Sequence, residues 1–169
     1  MRKWLTIISG ALTAAICAVM NLMLIPQIEA GTGGIRCFDM NFAYNYETAK
    51  QFLGLLTDEG RQIYLGRQLP LDFVYPVAYG LFFGLLIYTL SRGRKALLIF
   101  PALLVAADYI ENICVMQMLK SADISRTLVS IASIATAAKT ILMYLCILLI
   151  IALIVYFFIT KKKKDIVKI

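Results

Sequence analysis

The sequence predicts an all-α protein, a four-helix transmembrane bundle with a short-helical extracytoplasmic lid between the first and second spans. Hydrophobic residues make up 61% of the 169 residues, and the mean hydropathy is +0.81. Soluble domains are only about 45–50% apolar. In addition, four apolar segments reach the roughly 20 residues that cross a bilayer core. They lie at about residues 4–25, 70–90, 96–119 and 128–159.

The first span, about residues 4–25, follows the basic pair Arg2-Lys3. A retained span and a cleaved signal peptide both begin in this way. The apolar stretch exceeds the roughly 7–15 residues typical of a signal peptide, and no A-x-A cleavage site follows it. We therefore expect the span to be retained. Cleavage would leave the rest of the topology unchanged.

The outer loop, residues 26–69, contains helix signals and lacks the composition of a linker. Asn45 and Thr57 are candidate N-cap residues, and acidic residues lie in the turn that follows each of them. Capping residues followed by acidic first turns typically begin helices. We predict two short helices that lie over the outer mouth of the bundle.

The basic residues predict the orientation of the spans. Residues 92–95 make a tight basic turn, so the second and third spans form an antiparallel hairpin. Ten of the 17 Lys and Arg residues lie at the amino terminus, in this turn and in the basic tail, residues 160–169. Basic residues beside spans stay on the cytoplasmic side. We predict a single membrane domain, residues 1–169, in the cell membrane, multi-pass, with both termini cytoplasmic.

The charge and the cysteines exclude several classes of function. The net charge of +7 is concentrated beside the spans, without the aromatic-interleaved basic groove of a nucleic-acid-binding protein. We expect membrane lipids as partners and no nucleic acid. The chain has no histidine, and its four cysteines form no C-x-x-C motif, which removes the usual zinc and haem ligands and any imidazole base. The sequence predicts no metal site and no cofactor.

Each span carries small or polar residues on one helical face. On the third span, Asp108, Glu111 and Asn112 follow the i, i+3, i+4 spacing of a shared face. The other spans contribute Asn21 on the first, Asp72, Tyr75 and Tyr79 on the second, and Lys139 on the fourth. Such faces pack against other helices, because lipid favours neither close approach nor polarity. At about 1.5 Å per residue, all of these residues fall in the outer half of the bilayer, where we predict one polar pocket.

Two features of the second span favour close helix packing around that pocket. Gly80 and Gly84 form a G-x-x-x-G motif, which lets a neighbouring backbone approach. Pro76 lies inside the span and cannot donate to the carbonyl of Asp72. We therefore expect a kink and a free carbonyl at Asp72.

The charges within the spans do not balance. The carboxylates Asp72, Asp108 and Glu111 accompany a single ammonium group, Lys139. A lone charge at mid-membrane costs on the order of 2.5–3.5 kcal/mol on insertion scales. Pairing Lys139 with Asp108 or Glu111 neutralises two of these four groups. The remaining acids need water, a proton, a bound cation or a loop arginine, for which the candidates are Arg61 and Arg67.

Three classes of function fit such a pocket. The first is a membrane-embedded enzyme that acts on a lipid or amphiphile, with Asp108 or Glu111 as general acid or base and Lys139 as counter-charge. The second is a binding or transport module for a small ligand, a cation or protons, and its transport version requires a homo-oligomer. The third is a structural or accessory subunit that docks through the outer loop, in which the buried charges form only a structural ion pair. For the first two, the expected ligand contacts are Asp72, Tyr75, Tyr79, Asn112, Asn21, Arg61 and Arg67.

Three segments together resemble a pattern found in uncharacterised bacterial four-span membrane proteins. They are "GRQIYLGRQLP" at residues 60–70, "LDFVYPVAYG" at residues 71–80 and "ADYIEN" at residues 107–112. With Lys139, they extend over residues 60–139, in the centre of the chain. The resemblance implies a four-span fold and implies no particular activity.

Overall fold

The computed structural model describes the backbone of residues 2–166 and the side chains of residues 2–160. All the regular elements in this part of the chain are helical, which confirms the all-α prediction. Four helices are long and apolar enough to cross a membrane, as in a multi-pass membrane protein. The predicted basic tail lies outside the described side chains from residue 161 onward.

The helices are α1 (Arg2–Ala30), α2 (Tyr46–Leu55), α3 (Asp58–Leu90), α4 (Lys95–Lys120) and α5 (Arg126–Ile166), of which α5 is apolar as far as Thr160.

Helices α1 and α3 extend beyond the predicted spans because each contains one wide turn. A π-helical turn at Met20–Leu24 comes just before Pro26, and another at Tyr64–Gln68 comes just before Pro70. Proline lacks the N–H of the normal helical hydrogen bond, and a wide turn lets the helix continue past the missing bond. Consequently the predicted second short helix is continuous with the second span. The connection between α1 and α3 shortens to residues 31–57, and the two wide turns contact each other.

Both predicted N-caps are present. The Asn45 side chain accepts a hydrogen bond from the backbone N–H of Thr48 at 2.9 Å and begins α2. The Thr57 hydroxyl accepts from the backbone N–H of Gly60 at 3.1 Å and begins α3. These bonds satisfy backbone donors that have no partner within the helix.

Residues 31–57, called the cap segment below, pack through aromatic side chains on one end of the bundle. The Phe38 ring lies 4.9 Å from the Tyr44 ring and 4.7 Å from the Phe52 ring, and Phe52 lies 6.3 Å from Tyr64 of α3. The same apolar core contains residues from the last turns of α4 and the first turns of α5. Aromatic side chains bury large apolar areas, so this core holds the cap segment against the bundle.

Helices α3 and α4 form the predicted hairpin, with a close contact between them. A Cβ atom on Gly80 would lie 2.6 Å from the Cγ2 atom of Val105, so only glycine fits this helix crossing. A Cβ atom on Gly84 would meet nothing nearer than 4.0 Å. The chain reverses at Arg92 and Gly93, which have positive φ angles of 58° and 87°.

Helix α3 lies centrally and packs against α1, α4 and α5, while α4 and α5 pack closely on each other. Only 6% of the most apolar 18-residue stretch of α5 is buried within the protein. A long apolar helix that is exposed in this way is compatible with lipid as its surroundings.

Candidate functional site

Lys139 of α5 lies at the centre of a cluster of carboxylates. Its Nζ atom is 3.1 Å from Asp39 Oδ1 and 3.5 Å from Asp108 Oδ1, and it is also ion-paired with Glu111 Oε2. The Glu111 side chain is fully buried, and the Lys139 side chain is 16% exposed. An ammonium group has three N–H donors, and three carboxylates surround this one.

Hydroxyl groups of α3 and α5 bind the other oxygens of this cluster. The Tyr79 hydroxyl donates to Asp108 Oδ2 at 2.6 Å. The Thr136 hydroxyl lies 2.6 Å from Glu111 Oε1, to which it donates. Because Thr136 lies one turn before Lys139, the same face of α5 supplies both the ammonium and the hydroxyl. These hydrogen bonds give partners to carboxyl oxygens that are buried away from water.

Asp72 of α3 lies outside the reach of Lys139 and has a different environment. Its side chain is buried, and Oδ1 accepts a hydrogen bond from Gln68 Nε2 at 3.2 Å. Its Oδ2 atom has no partner among the described residues. Its main-chain carbonyl, which Pro76 leaves free, accepts from Asn112 Nδ2 at 2.7 Å. The free carbonyl expected from Pro76 is therefore satisfied by a neighbouring helix.

A cavity of about 280 Å³ lies between α1 and α5, beside the cap segment, with Asp72 of α3 and Asp108 of α4 among its lining residues. Asp72 and Asp108 are buried, whereas Asn21, Met40 and Tyr144 are exposed at its edge. The cavity is lined by Met20, Asn21, Ile25, Asp39, Met40, Asp72, Tyr75, Asp108, Lys139, Thr140, Met143 and Tyr144.

The structure brings together most, but not all, of the residues predicted for the site. The three predicted catalytic residues, Asp108, Glu111 and Lys139, are in direct contact. Asp72, Tyr75 and Asn21 line the same cavity. Tyr79 and Asn112 are buried beside it and bind Asp108 and the carbonyl of Asp72.

The two predicted loop arginines lie elsewhere. The guanidinium of Arg61 donates to the carbonyl of Leu119, at the end of α4, and to the carbonyl of Leu53 at 3.3 Å. It therefore binds the carboxyl-terminal ends of two helices, where carbonyls lack partners within the helix. Arg67 is exposed on α3. Neither side chain lines the cavity.

Asp39 is the main residue of the site that the sequence did not predict. It lies in a 3-10 turn, Phe38–Met40, of the cap segment. The Tyr64 hydroxyl donates to its Oδ2 at 3.2 Å, and Lys139 binds its Oδ1. The one local sign was its position next to Phe38, which suggests a turn anchored in a core. Periodicity cannot place such a residue, because it lies outside the long helices.

The acidic groups of the site affect Cys37 in the cap segment. Burial raises the pKa of the Cys37 thiol, and the nearby carboxylates of Asp39 and Glu29 raise it further. Burial also raises the pKa of the Tyr44 hydroxyl. Both groups are therefore uncharged at neutral pH.

The charged groups of the site differ in whether they are ion-paired. No three His, Cys, Asp or Glu side chains in the described part of the chain are placed to hold a metal ion together. Lys139, Asp108 and Glu111 bind one another, so none of them is free to act as an acid or base without breaking an ion pair. Asp72 is the carboxylate at the cavity with an unpaired oxygen.

Comparison of the chain with protein-family models, with curated proteins and with solved structures gave no match. The resemblance to uncharacterised four-span membrane proteins therefore stays a prediction. The fold and the site define a protein with four membrane-capable helices and a buried cluster of charged residues.

Proposed function

We propose that the chain is a multi-pass membrane protein that binds the polar end of an amphiphile in the cavity between α1 and α5. One observation carries the proposal: a cavity lined by buried charged residues lies between two helices whose other faces are apolar and exposed. Intramembrane ionisable groups typically mark functional sites.

The proposed orientation puts both termini in the cytoplasm and the cavity in the outer half of the bilayer. The turn between α3 and α4 carries Arg92, Arg94 and Lys95, and such basic turns stay cytoplasmic. The cap segment lies at the opposite end of the bundle and forms a lid over the site from the outside.

The size of the cavity favours an amphiphile over a fully enclosed ligand. Small-molecule sites are typically about 300–1,000 Å³, so a cavity of about 280 Å³ lies just below this range and has room for a headgroup. The rest of the ligand must lie outside the cavity. The exposed apolar residues nearest in sequence to lining residues of the cavity are the candidates to contact such a tail: Leu22 and Met23 follow Asn21 on α1, and Leu148 lies one turn after Tyr144 on α5.

The experiment measures amphiphile binding to the protein in lipid nanodiscs by native mass spectrometry. The probes are three dodecyl amphiphiles with a cationic, an uncharged and an anionic headgroup. Met143→Trp fills the cavity from α5. Ile141→Trp is the matched control, since Ile141 is 50% exposed on the same helix and lies outside the cavity lining.

We expect at least one probe to bind the unaltered protein and the Ile141→Trp variant equally well. The Met143→Trp variant should bind it at least about tenfold more weakly, because the added ring occupies the headgroup site. If the two variants bind all probes alike, or if no probe binds, the buried charges are a structural ion-pair network and the proposal is wrong.

A further inference from the structure

We infer that the headgroup bound in this cavity carries one positive charge, as an organic ammonium does, and that Asp72 is its counter-ion. This inference rests on the proposed function and names the chemical class of the ligand. It follows from the charge balance of the site, the environment of Asp72 and the composition of the cavity wall.

The formal charges of the acidic and basic side chains at the site do not balance. Four acidic side chains, Asp39, Asp72, Asp108 and Glu111, are buried or nearly buried beside one lysine. Lys139 is ion-paired with the other three acids and not with Asp72. Within residues 2–160, no arginine or other lysine is ion-paired with any of the four.

Asp72 is the acid that lacks a partner of opposite charge. Its side chain is only 5% exposed, it lines the cavity, and its Oδ2 atom has no hydrogen-bond partner among the described residues. Gln68 donates to Oδ1, which holds the carboxyl group in one orientation. A buried carboxylate without a counter-ion is costly, so a cation beside Oδ2 removes an unfavourable interaction.

The remaining lining residues suit an ammonium headgroup. Tyr75 and three methionines are among the lining residues; the methionines are Met20, Met40 and Met143. Aromatic rings attract ammonium ions through their negative faces, and methionine is polarisable and adapts its shape.

An anionic headgroup, such as a phosphate, fits the site less well even though a lysine is present. The ammonium of Lys139 already faces three carboxylates, so a phosphate would have to displace one of them. It would also approach the unpaired carboxyl group of Asp72. The negative charges of the phosphate and of the Asp72 carboxylate would repel each other strongly in surroundings of low dielectric constant.

The test compares three probes of equal chain length in nanodiscs: dodecyltrimethylammonium, dodecyldimethylamine oxide and dodecyl phosphate. The amine oxide has nearly the same shape as the ammonium compound, but its negative oxygen balances the positive nitrogen, so it carries no net charge at neutral pH. The variant is Asp72→Asn, which keeps an oxygen that can accept the hydrogen bond from Gln68. Asp58→Asn is the matched control, because it removes one exposed acidic charge from the same helix.

We expect the unaltered protein and Asp58→Asn to prefer the ammonium over the amine oxide by about tenfold or more. Asp72→Asn should abolish this preference while amine oxide binding stays unchanged, which also shows that the variant is folded. As a second variant, Tyr75→Leu should weaken ammonium binding by about fivefold through loss of the cation–π contact.

The inference is overturned if the phosphate or the amine oxide binds as tightly as the ammonium while Met143→Trp still blocks binding. The proposed function then stands and only the headgroup class is wrong. The inference is also overturned if Asp72→Asn weakens the binding of all three probes equally, because Asp72 then maintains the structure of the site and does not select the headgroup charge. If no probe binds in a way that Met143→Trp blocks, both proposals fail.

Discussion

Replacing Lys139 by methionine removes the central positive charge and nearly preserves the length and apolar packing of the side chain. Asp39, Asp108 and Glu111 then lose their counter-ion. At an effective dielectric constant of 20, one pair at 4 Å is worth about 4 kcal/mol before desolvation, and two of these pairs have distances of 3.1 and 3.5 Å. Removing one partner of a buried pair typically costs about 3–5 kcal/mol. We expect Lys139→Met to lower the free energy of unfolding by about that amount.

Labelling of buried cysteines with a maleimide measures this change in the folded protein. Cys37 reports on the cap segment and Cys146 on α5, because they are 1% and 0% exposed. Each is studied as the single cysteine of the chain. The raised pKa of Cys37 makes its reactive thiolate scarce in the closed state, so labelling proceeds through opening. Since about 1.4 kcal/mol corresponds to a factor of ten, Lys139→Met should accelerate labelling at both positions by about 10²- to 10⁴-fold.

Two further variants serve as controls for this experiment. Asp39→Asn should accelerate the labelling of Cys37 much more than that of Cys146. Asp39 attaches the cap segment to Lys139, whereas Asp108 and Glu111 still bind Lys139 in this variant. Adding Glu111→Gln to Lys139→Met removes a fully buried uncompensated acid and should slow labelling again by about tenfold or more. If Lys139→Met changes both rates by less than about threefold, the cluster does not stabilise the fold and our reasoning is wrong.

The remaining predictions concern helix packing and are measured as heat-induced aggregation midpoints in one detergent. Gly80→Ala should lower stability by about 1–3 kcal/mol, because its methyl group overlaps the stiff side chain of Val105. Gly84→Ala is the matched control and should be neutral or stabilising by up to about 1 kcal/mol; equal effects would argue against the close crossing. Arg61→Gln should cost about 1–3 kcal/mol, because two helix-end carbonyls lose their charged donor; an unchanged midpoint would show that water replaces the arginine.

Local periodicity predicted the centre of the site because the geometry of a helix depends on sequence spacing alone. Asp108 and Glu111 are one turn apart on α4, and Lys139 lies at a matching depth on α5. Once these helices pack along their polar faces, the three side chains must meet. That prediction required neither the knowledge of which helices are neighbours nor any distance between side chains.

The contribution of the cap segment could not be predicted in this way. Asp39 reaches Lys139 because Phe38 is fixed by contacts with Tyr44 and Phe52, and these contacts join residues that no repeat relates. Arg61 was a reasonable candidate to neutralise the intramembrane acids, because it is an arginine of the predicted outer loop. Its place at the start of α3, however, directs it to the end of α4.

The structural and the functional interpretations of the buried charges apply to different residues of one site. Lys139, Asp39, Asp108 and Glu111 neutralise one another in part and join the cap segment, α4 and α5, so they should contribute mainly to stability. Asp72 contributes no ion pair within the described residues and lines the cavity, so it should contribute mainly to ligand selectivity. The two sets of experiments therefore have independent outcomes. If Asp72→Asn accelerated labelling of Cys146 as much as Lys139→Met does, Asp72 would belong to the structural network and the cavity would have no counter-ion for a cation.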